Sequence, residues 1–142
     1  MKNAYIIITD DDQDDQEFLM EAIKSTNVKC DITCALDGTE LMDILLKKNE
    51  HIDSTLKLPD LIILDLNMPL MDGYEVLKWM KSDENLKQIP VYILTTSQHE
   101  YDKVKSIAYG ASGFYSKPMS SPDLLKIVKE IFALHPPLTL QH

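Results

Sequence analysis

The sequence lacks the features that mark a membrane, secreted or nucleic-acid-binding protein. Its 142 residues contain no apolar run long enough to cross a bilayer. The run Tyr5–Thr9 is too short for the apolar part of a signal peptide and leads directly into acids. A net charge of −9 opposes general affinity for nucleic acid or an anionic membrane. We therefore expect a cytoplasmic protein whose partners are other proteins or cations.

Cysteine is scarce as well. The two cysteines, Cys30 and Cys34, lie in a segment that alternates like a strand. A strand would place them on one face ~13 Å apart, which is too far for a disulfide. No histidine stands at metal-ligand spacing, so a zinc site is not expected.

Strand and helix patterns alternate along the chain. Five βα units in series predict a parallel sheet with helices on both faces, since right-handed crossovers permit little else. A chain with 44% hydrophobic residues can bury one core, and we expect one domain at residues 1–134 followed by a tail at 135–142. Short apolar runs predict strands at Tyr5–Thr9, Leu61–Leu64 and Val91–Leu94, and alternation predicts one at about Lys29–Ala35. A short fifth strand is predicted at Gly113–Ser116.

The helical patterns indicate which side chains face the core. The first helix is predicted to begin at Asp12 or Gln13, and its apolar positions include Phe18. Trp79 is expected to pack partly against the sheet edge. The inward residues of the last helix, Pro122–Ala133, are predicted to be Leu125, Val128 and Phe132.

Polar residues stand where four of the predicted strands end. Asp10 and Asp11 follow the first strand, and Asp65 follows the third. Thr95 ends the fourth strand, and Lys117 follows the fifth. Parallel strands deliver such residues to the carboxyl edge of the sheet, where open α/β folds bind ligands. Phosphoryl transfer to a protein carboxylate needs these parts: a nucleophilic Asp, a hard divalent cation and donors to the phosphoryl oxygens.

Four segments, in this order, resemble the receiver domains of two-component response regulators, and the resemblance extends over about residues 4–133. It implies a flavodoxin-like (βα)5 three-layer sandwich with a parallel sheet of order 2-1-3-4-5. The segments are Asp10–Asp11, Asp65–Gly73, Leu94–Thr96 and Ala111–Pro118.

The resemblance implies that Asp65 accepts a phosphoryl group from a sensor histidine kinase, a histidine phosphotransfer protein or a small phosphodonor. It also implies a magnesium ion held by Asp11, Asp65 and the backbone carbonyl of Asn67, with Asp10 acting through water. This set agrees with the preference of Mg²⁺ for octahedral oxygen ligands and retained waters.

The same resemblance assigns the switch. Lys117 would pair with a phosphoryl oxygen, the hydroxyl of Thr95 would swing towards it, and Phe114 would turn inward. Matching to the family favours Thr95 over Thr96 as the switch hydroxyl. In this family the bond between Lys117 and Pro118 is cis, so a cis bond is expected here.

Plainer interpretations compete with these. Asp12, Asp14 and Asp15 are expected to be only an N-cap and first-turn acids of a helix. Phe114 could be ordinary core. The enzymatic alternative is a phosphohydrolase or phosphotransferase resembling the haloacid dehalogenases, which carry a second Asp where this chain has Asn67. A third possibility is a pseudo-receiver that works as a scaffold without phosphorylation.

We expect a non-enzymatic, single-domain response regulator whose signal leaves through protein binding. Its downstream partner is a target protein, a phosphotransfer protein or a second copy, so the chain is a monomer or a weak homodimer through its last helix. The long connection before Pro59 and the C-terminal tail resemble stand-alone receivers found beside phytochrome-type histidine kinases. Asn67 and Ser97, at the family's rate-setting positions, leave the lifetime of the phosphorylated state open.

Overall fold

The computed structural model describes residues 3–50 and 58–138, without the side chains of residues 47–50 and 137. Five strands alternate with five helices. The strands are β1 (Ala4–Thr9), β2 (Cys30–Ala35), β3 (Leu61–Leu64), β4 (Val91–Thr95) and β5 (Gly113–Ser116). The helices are α1 (Gln13–Ser25), α2 (Gly38–Glu50), α3 (Gly73–Lys81), α4 (Glu100–Ala108) and α5 (Ser121–Ala133).

The strands form one parallel sheet in the order β2-β1-β3-β4-β5, which confirms the predicted topology. The residues of β1, β3 and β4 are buried throughout because these strands have neighbours on both edges and helices on both faces. Strand β2 lies at an edge and is partly exposed. Cys30 and Cys34 both lie on it as free thiols, as predicted.

Alternate residues of the central strands build two cores, one on each face of the sheet. On one face, Ile7 and Ile62 join the buried side chains of α2 and α3. On the other, Ile6 and Ile63 join those of α1 and α5. Helix α4 buries only Ser106 and leaves Val104 60% exposed. Among the described helices, none combines the length and apolar character that a transmembrane segment requires.

Two side chains lie differently from the sequence prediction. Helix α5 buries Val128 and Phe132 as predicted, but it buries Leu124, whereas Leu125 is only partly buried. Phe18 is 54% exposed and is not a core residue. Trp79 is 56% exposed, and its partial packing against the sheet edge stays a prediction. The chain after α5 continues into a 3-10 helix at Pro136–Leu138, and Leu138 is fully buried in the core of the α1 and α5 face. The long connection expected before Pro59 lies mostly outside the described residues.

The loop from β3 to α3 is held tightly against the end of β3. The N–H of Gly73 donates to the carbonyl oxygen of Leu66 at 3.0 Å, and α3 then begins with a capping box between Asp72 and Glu75. A Cβ at Gly73 would lie 2.7 Å from the carbonyl oxygen of Asp65. Close backbone contact therefore requires glycine here and fixes the backbone around Asp65.

Replacing Gly73 by alanine tests this constraint. We expect Gly73→Ala to lower the free energy of unfolding by about 1–3 kcal/mol, because backbone atoms must shift to admit the methyl group. Urea denaturation measures the change. The control is Glu17→Ala at an exposed position of α1, which should change stability by less than about 0.5 kcal/mol. Equal stability of the two variants would contradict the constraint.

Candidate functional site

Backbone hydrogen bonds place two acids side by side at the carboxyl edge of the sheet. The N–H of Asp10 donates to the carbonyl oxygen of Ala35 at 3.1 Å, and the N–H of Asp65 donates to that of Thr9 at 3.0 Å. Each bond continues the parallel ladder one residue past its strand. Both carboxyl side chains are buried, so their positions are set by the sheet itself.

Lys117 enters the site from β5. Its N–H donates to the carbonyl oxygen of Thr95 at 2.7 Å, which extends the ladder between β4 and β5 in the same way. Its Nζ lies 2.7 Å from Asp10, 2.8 Å from Asp15 and 3.2 Å from Asp65, and the side chain is 14% exposed. The Lys117 ammonium therefore forms ion pairs with three carboxylates.

The bond between Lys117 and Pro118 is trans, so the expectation of a cis bond is wrong for this structure. Trans is the intrinsically favoured state even before proline. With the bond in this state, the Lys117 ammonium still reaches the carboxylates of Asp10 and Asp65.

The acids form a candidate site for a divalent cation. Carboxylate oxygens of Asp10, Asp11 and Asp65 lie within 4.8 Å of one another, with Asp11 exposed to solvent. The N–H of Asn67 donates to Oδ1 of Asp65 at 3.3 Å, which places the Asn67 backbone beside the cluster. A donor set made only of hard oxygens, partly open to water, fits Mg²⁺ or a similar cation. The role of the Asn67 carbonyl stays a prediction.

The electrostatics of the cluster favour a cation. Burial raises the pKa of Asp10 from 3.8 to about 6, although a hydrogen bond from Lys117 opposes the shift. Burial alone would lower the pKa of Lys117, but its bonds to Asp10 and Asp15 and the charge of Asp65 outweigh burial and raise it. Lys117 therefore stays protonated, and one positive charge is left to balance several acids.

Asp15 and Gln16 belong to the site, although the sequence did not indicate either. Asp15 is a first-turn acid, as predicted, but it also pairs with Lys117. The buried Nε2 of Gln16 donates to the carbonyl oxygens of Asp10 at 2.8 Å and of Ala35 at 2.9 Å. Gln16 thereby joins the ends of β1 and β2. Asp12 is the N-cap of α1, as predicted.

Thr95 and Phe114 lie on neighbouring strands near the site. Thr95 is fully buried, whereas Thr96 is exposed, and Oγ1 of Thr95 accepts from the N–H of Ser97 at 3.5 Å. Phe114 is partly buried against the core that faces α2 and α3. Their roles as switch residues stay predictions.

The loop between β4 and α4 is tied to α3 by a network that the sequence did not predict. Ser97 Oγ donates to one carboxylate oxygen of Asp102 at 2.6 Å, and Tyr74 donates its hydroxyl to the other. These hydrogen bonds, the one from Ser97 first, lower the pKa of Asp102. Ser116 Oγ donates to the Ser97 carbonyl oxygen at 2.8 Å, so β5 holds the same loop.

An open cavity of about 210 Å³ lies beside the carboxylates, between α1 and the β5–α5 loop. Asp65, Lys117 and Asp15 line its charged side, and Phe18 and Met119 line its apolar side. Met119 is fully exposed. The buried acid is therefore reached through a rim that is partly apolar.

Comparisons with known proteins agree with this geometry. The family model for the response regulator receiver domain matches residues 6–129. Response regulator Rcp1 of Synechocystis sp. is 34% identical over 126 residues, which cover 89% of this chain and 84% of that protein. The polar-differentiation response regulator DivK of Brucella ovis is 29% identical over 124 residues, or 87% of this chain and 92% of DivK.

Solved structures show the same similarity. The phosphorylated cyanobacterial phytochrome response regulator RcpA has a TM-score of 0.84 and 33% identity, with 98% of each chain covered. The Mn(2+)-bound form of response regulator Rcp1 has a TM-score of 0.81 and 31% identity, covering 98% of this chain and 99% of that one.

The raised pKa of Asp10 predicts a pH dependence of stability in EDTA. The folded state holds the Asp10 proton up to about pH 6, whereas its ordinary pKa is 3.8. The proton on Asp10 therefore stabilises the folded state fully below about pH 4, and this stabilisation is lost as the pH rises through about 6. Relative to wild type, Asp10→Asn should gain on the order of 2 kcal/mol of unfolding free energy between pH 4 and pH 7. Urea denaturation at each pH measures this, and a constant difference would contradict it.

Proposed function

This chain belongs to the response regulator receiver domains, and we propose that it accepts a phosphoryl group on Asp65 and signals through protein binding that depends on this phosphorylation. Receiver domains of this family are signalling proteins of two-component systems. The observation that carries the proposal is the placement of the Asp65 carboxylate 3.2 Å from Lys117 Nζ and within 4.8 Å of the oxygens of Asp10 and Asp11.

The chemistry assigned to Asp65 is a single phosphoryl transfer. A carboxylate oxygen of Asp65 forms a bond to phosphorus as the bond from phosphorus to the donor histidine breaks. The electron pair of the broken bond returns to the imidazole nitrogen, and the product is an acyl phosphate. Lys117 donates to an oxygen of the transferring group, whose negative charge its ammonium offsets.

A magnesium ion is part of the proposal. Asp11, Asp65 and the backbone carbonyl of Asn67 would hold it, with Asp10 acting through a water molecule. When bound, the ion offsets negative charge on the phosphoryl oxygens and on the attacking carboxylate. The all-oxygen donor set supports this assignment.

The proposed switch uses the end of β4. Thr95 lies opposite Ser116 in the register, and Ile93 lies opposite Phe114. Movement of the Thr95 hydroxyl towards a phosphoryl oxygen would change the space beside β5, and Phe114 would turn further into it. The charge of the phosphoryl group would thereby favour one of two packings of the surface beside β5. A downstream protein would bind one of these packings in preference to the other.

The rim of the site supports a protein as the phosphodonor. Phe18, which is 54% exposed, and Met119, which is fully exposed, both line the cavity beside the acids. Apolar side chains around a buried acid suit a docking protein better than a small ion. The similarity to RcpA and Rcp1 supports a histidine kinase of the phytochrome type, or a phosphotransfer protein, in the cytoplasm.

Helix α5 buries most of its apolar side chains, which supports a monomer or a weak homodimer.

Labelling with acetyl phosphate tests the proposal. Intact-protein mass spectrometry should show the gain of one phosphoryl group in the presence of Mg²⁺. Asp65→Asn should abolish the gain because the nucleophile is removed. The control Asp123→Asn changes an exposed acid at the start of α5 and should be labelled like wild type.

Four further results bear on the mechanism. EDTA should suppress labelling, as should Asp11→Asn. Steady release of phosphate from small esters over many turnovers would favour a phosphohydrolase that resembles the haloacid dehalogenases. Absence of labelling both by acetyl phosphate and by a phosphorylated histidine kinase would favour the scaffold interpretation and contradict the proposal.

A further inference from the structure

We propose that Asp15 is a positioning residue that competes with the phosphoryl group for Lys117 and thereby disfavours the phosphorylated state. This inference rests on the proposed function, since it concerns the lysine that would pair with a phosphoryl oxygen. It is carried by the ion pair of 2.8 Å between Lys117 Nζ and Asp15 Oδ2.

The ammonium of Lys117 is surrounded by carboxylates in this structure: it donates hydrogen bonds to Asp15 and Asp65 and forms an ion pair with Asp10. An ammonium has three N–H donors and no acceptor. Nζ has three carboxylate partners, at 2.7 Å for Asp10, 2.8 Å for Asp15 and 3.2 Å for Asp65. A phosphoryl oxygen on Asp65 would therefore share the Lys117 ammonium with the carboxylates already beside it.

Asp15 is the partner whose bond to Lys117 opposes phosphorylation most directly. Asp10 and Asp65 belong to the cluster of carboxylates that fits a cation, whereas Asp15 lies outside it. The Asp15 side chain makes no other hydrogen bond or ion pair among the described residues. It is 33% exposed, so water can replace Lys117 as its partner. Asp15 therefore holds the ammonium from the side of α1, where it competes for the charge that a phosphoryl oxygen on Asp65 would use.

The first turn of α1 offers a matched control. Asp14 and Asp15 are adjacent acids of that turn, and the N–H of each donates to the N-cap Asp12. Asp14 is exposed and makes no contact with Lys117. Asp14→Asn and Asp15→Asn remove the same charge from the same turn, so the difference between them isolates the ion pair with Lys117.

The test uses beryllofluoride, a tetrahedral mimic of the phosphoryl group, in the presence of Mg²⁺. Relative to Asp14→Asn, Asp15→Asn should bind beryllofluoride roughly two- to fivefold more tightly, the range expected for loss of one partly exposed ion pair. Labelling by acetyl phosphate should be faster by a similar factor. In the free protein, NMR of the ¹⁵N-labelled lysine side chains should show faster proton exchange at the Lys117 ammonium in Asp15→Asn only.

The outcomes separate the two proposals. If wild type binds beryllofluoride and is labelled, but the two variants behave alike, Asp15 is an ordinary first-turn acid and the inference is overturned. Weaker binding or slower labelling of Asp15→Asn than of Asp14→Asn would also overturn it, because Asp15 would then be supporting Lys117. If wild type is not labelled by any donor, the proposed function fails first and the inference falls with it.

Discussion

The ammonium of Lys117 lies among the carboxylates of Asp10, Asp15 and Asp65 at the carboxyl edge of the sheet, and the site depends on this arrangement. Buried acids at neighbouring strand ends repel one another and lose solvation, so they stay together only with positive charge nearby. One lysine supplies part of that charge. The remaining negative charge favours the binding of a divalent cation at this edge.

The parallel sheet sets the spacing of these groups. Asp10, Asp65 and Lys117 each continue a ladder hydrogen bond one residue past a strand, so the backbone fixes where their side chains begin. The close approach of Gly73 to Asp65 and the bridging amide of Gln16 restrain the same edge from outside. By contrast, α4 packs loosely and its loop is held to α3 by Tyr74, Asp102 and Ser97. The firmly held Asp65 thus lies near α4, a helix that fewer buried contacts hold in place.

Some of this could be predicted from the sequence. Strands β3 and β5 begin and end where predicted. For β3 the reason is that a buried parallel strand is a short apolar run. Asp10, Asp11 and Asp65 were predicted to lie at strand ends because they directly follow the apolar runs of β1 and β3. Asp15 was assigned only a helical role, since first-turn acids are common and its partner is 102 residues away.

Other features depend on tertiary contacts that one sequence does not reveal. The choice of Leu124 over Leu125 as the buried residue depends on how α5 packs in the folded protein. The network of Tyr74, Asp102 and Ser97 exists only because α3 and α4 lie side by side. The trans state of the bond before Pro118 likewise differs from the family pattern, although Lys117 reaches its partners in this state.

Identification of the phosphorylated residue tests the central claim most directly. Borohydride reduces an acyl phosphate to an alcohol, so reduction after treatment with acetyl phosphate and Mg²⁺ marks the acceptor in a peptide map. The account predicts that residue 65 alone is converted and that conversion requires the cation. Conversion of Asp10, Asp11 or another acid in place of Asp65 would contradict it.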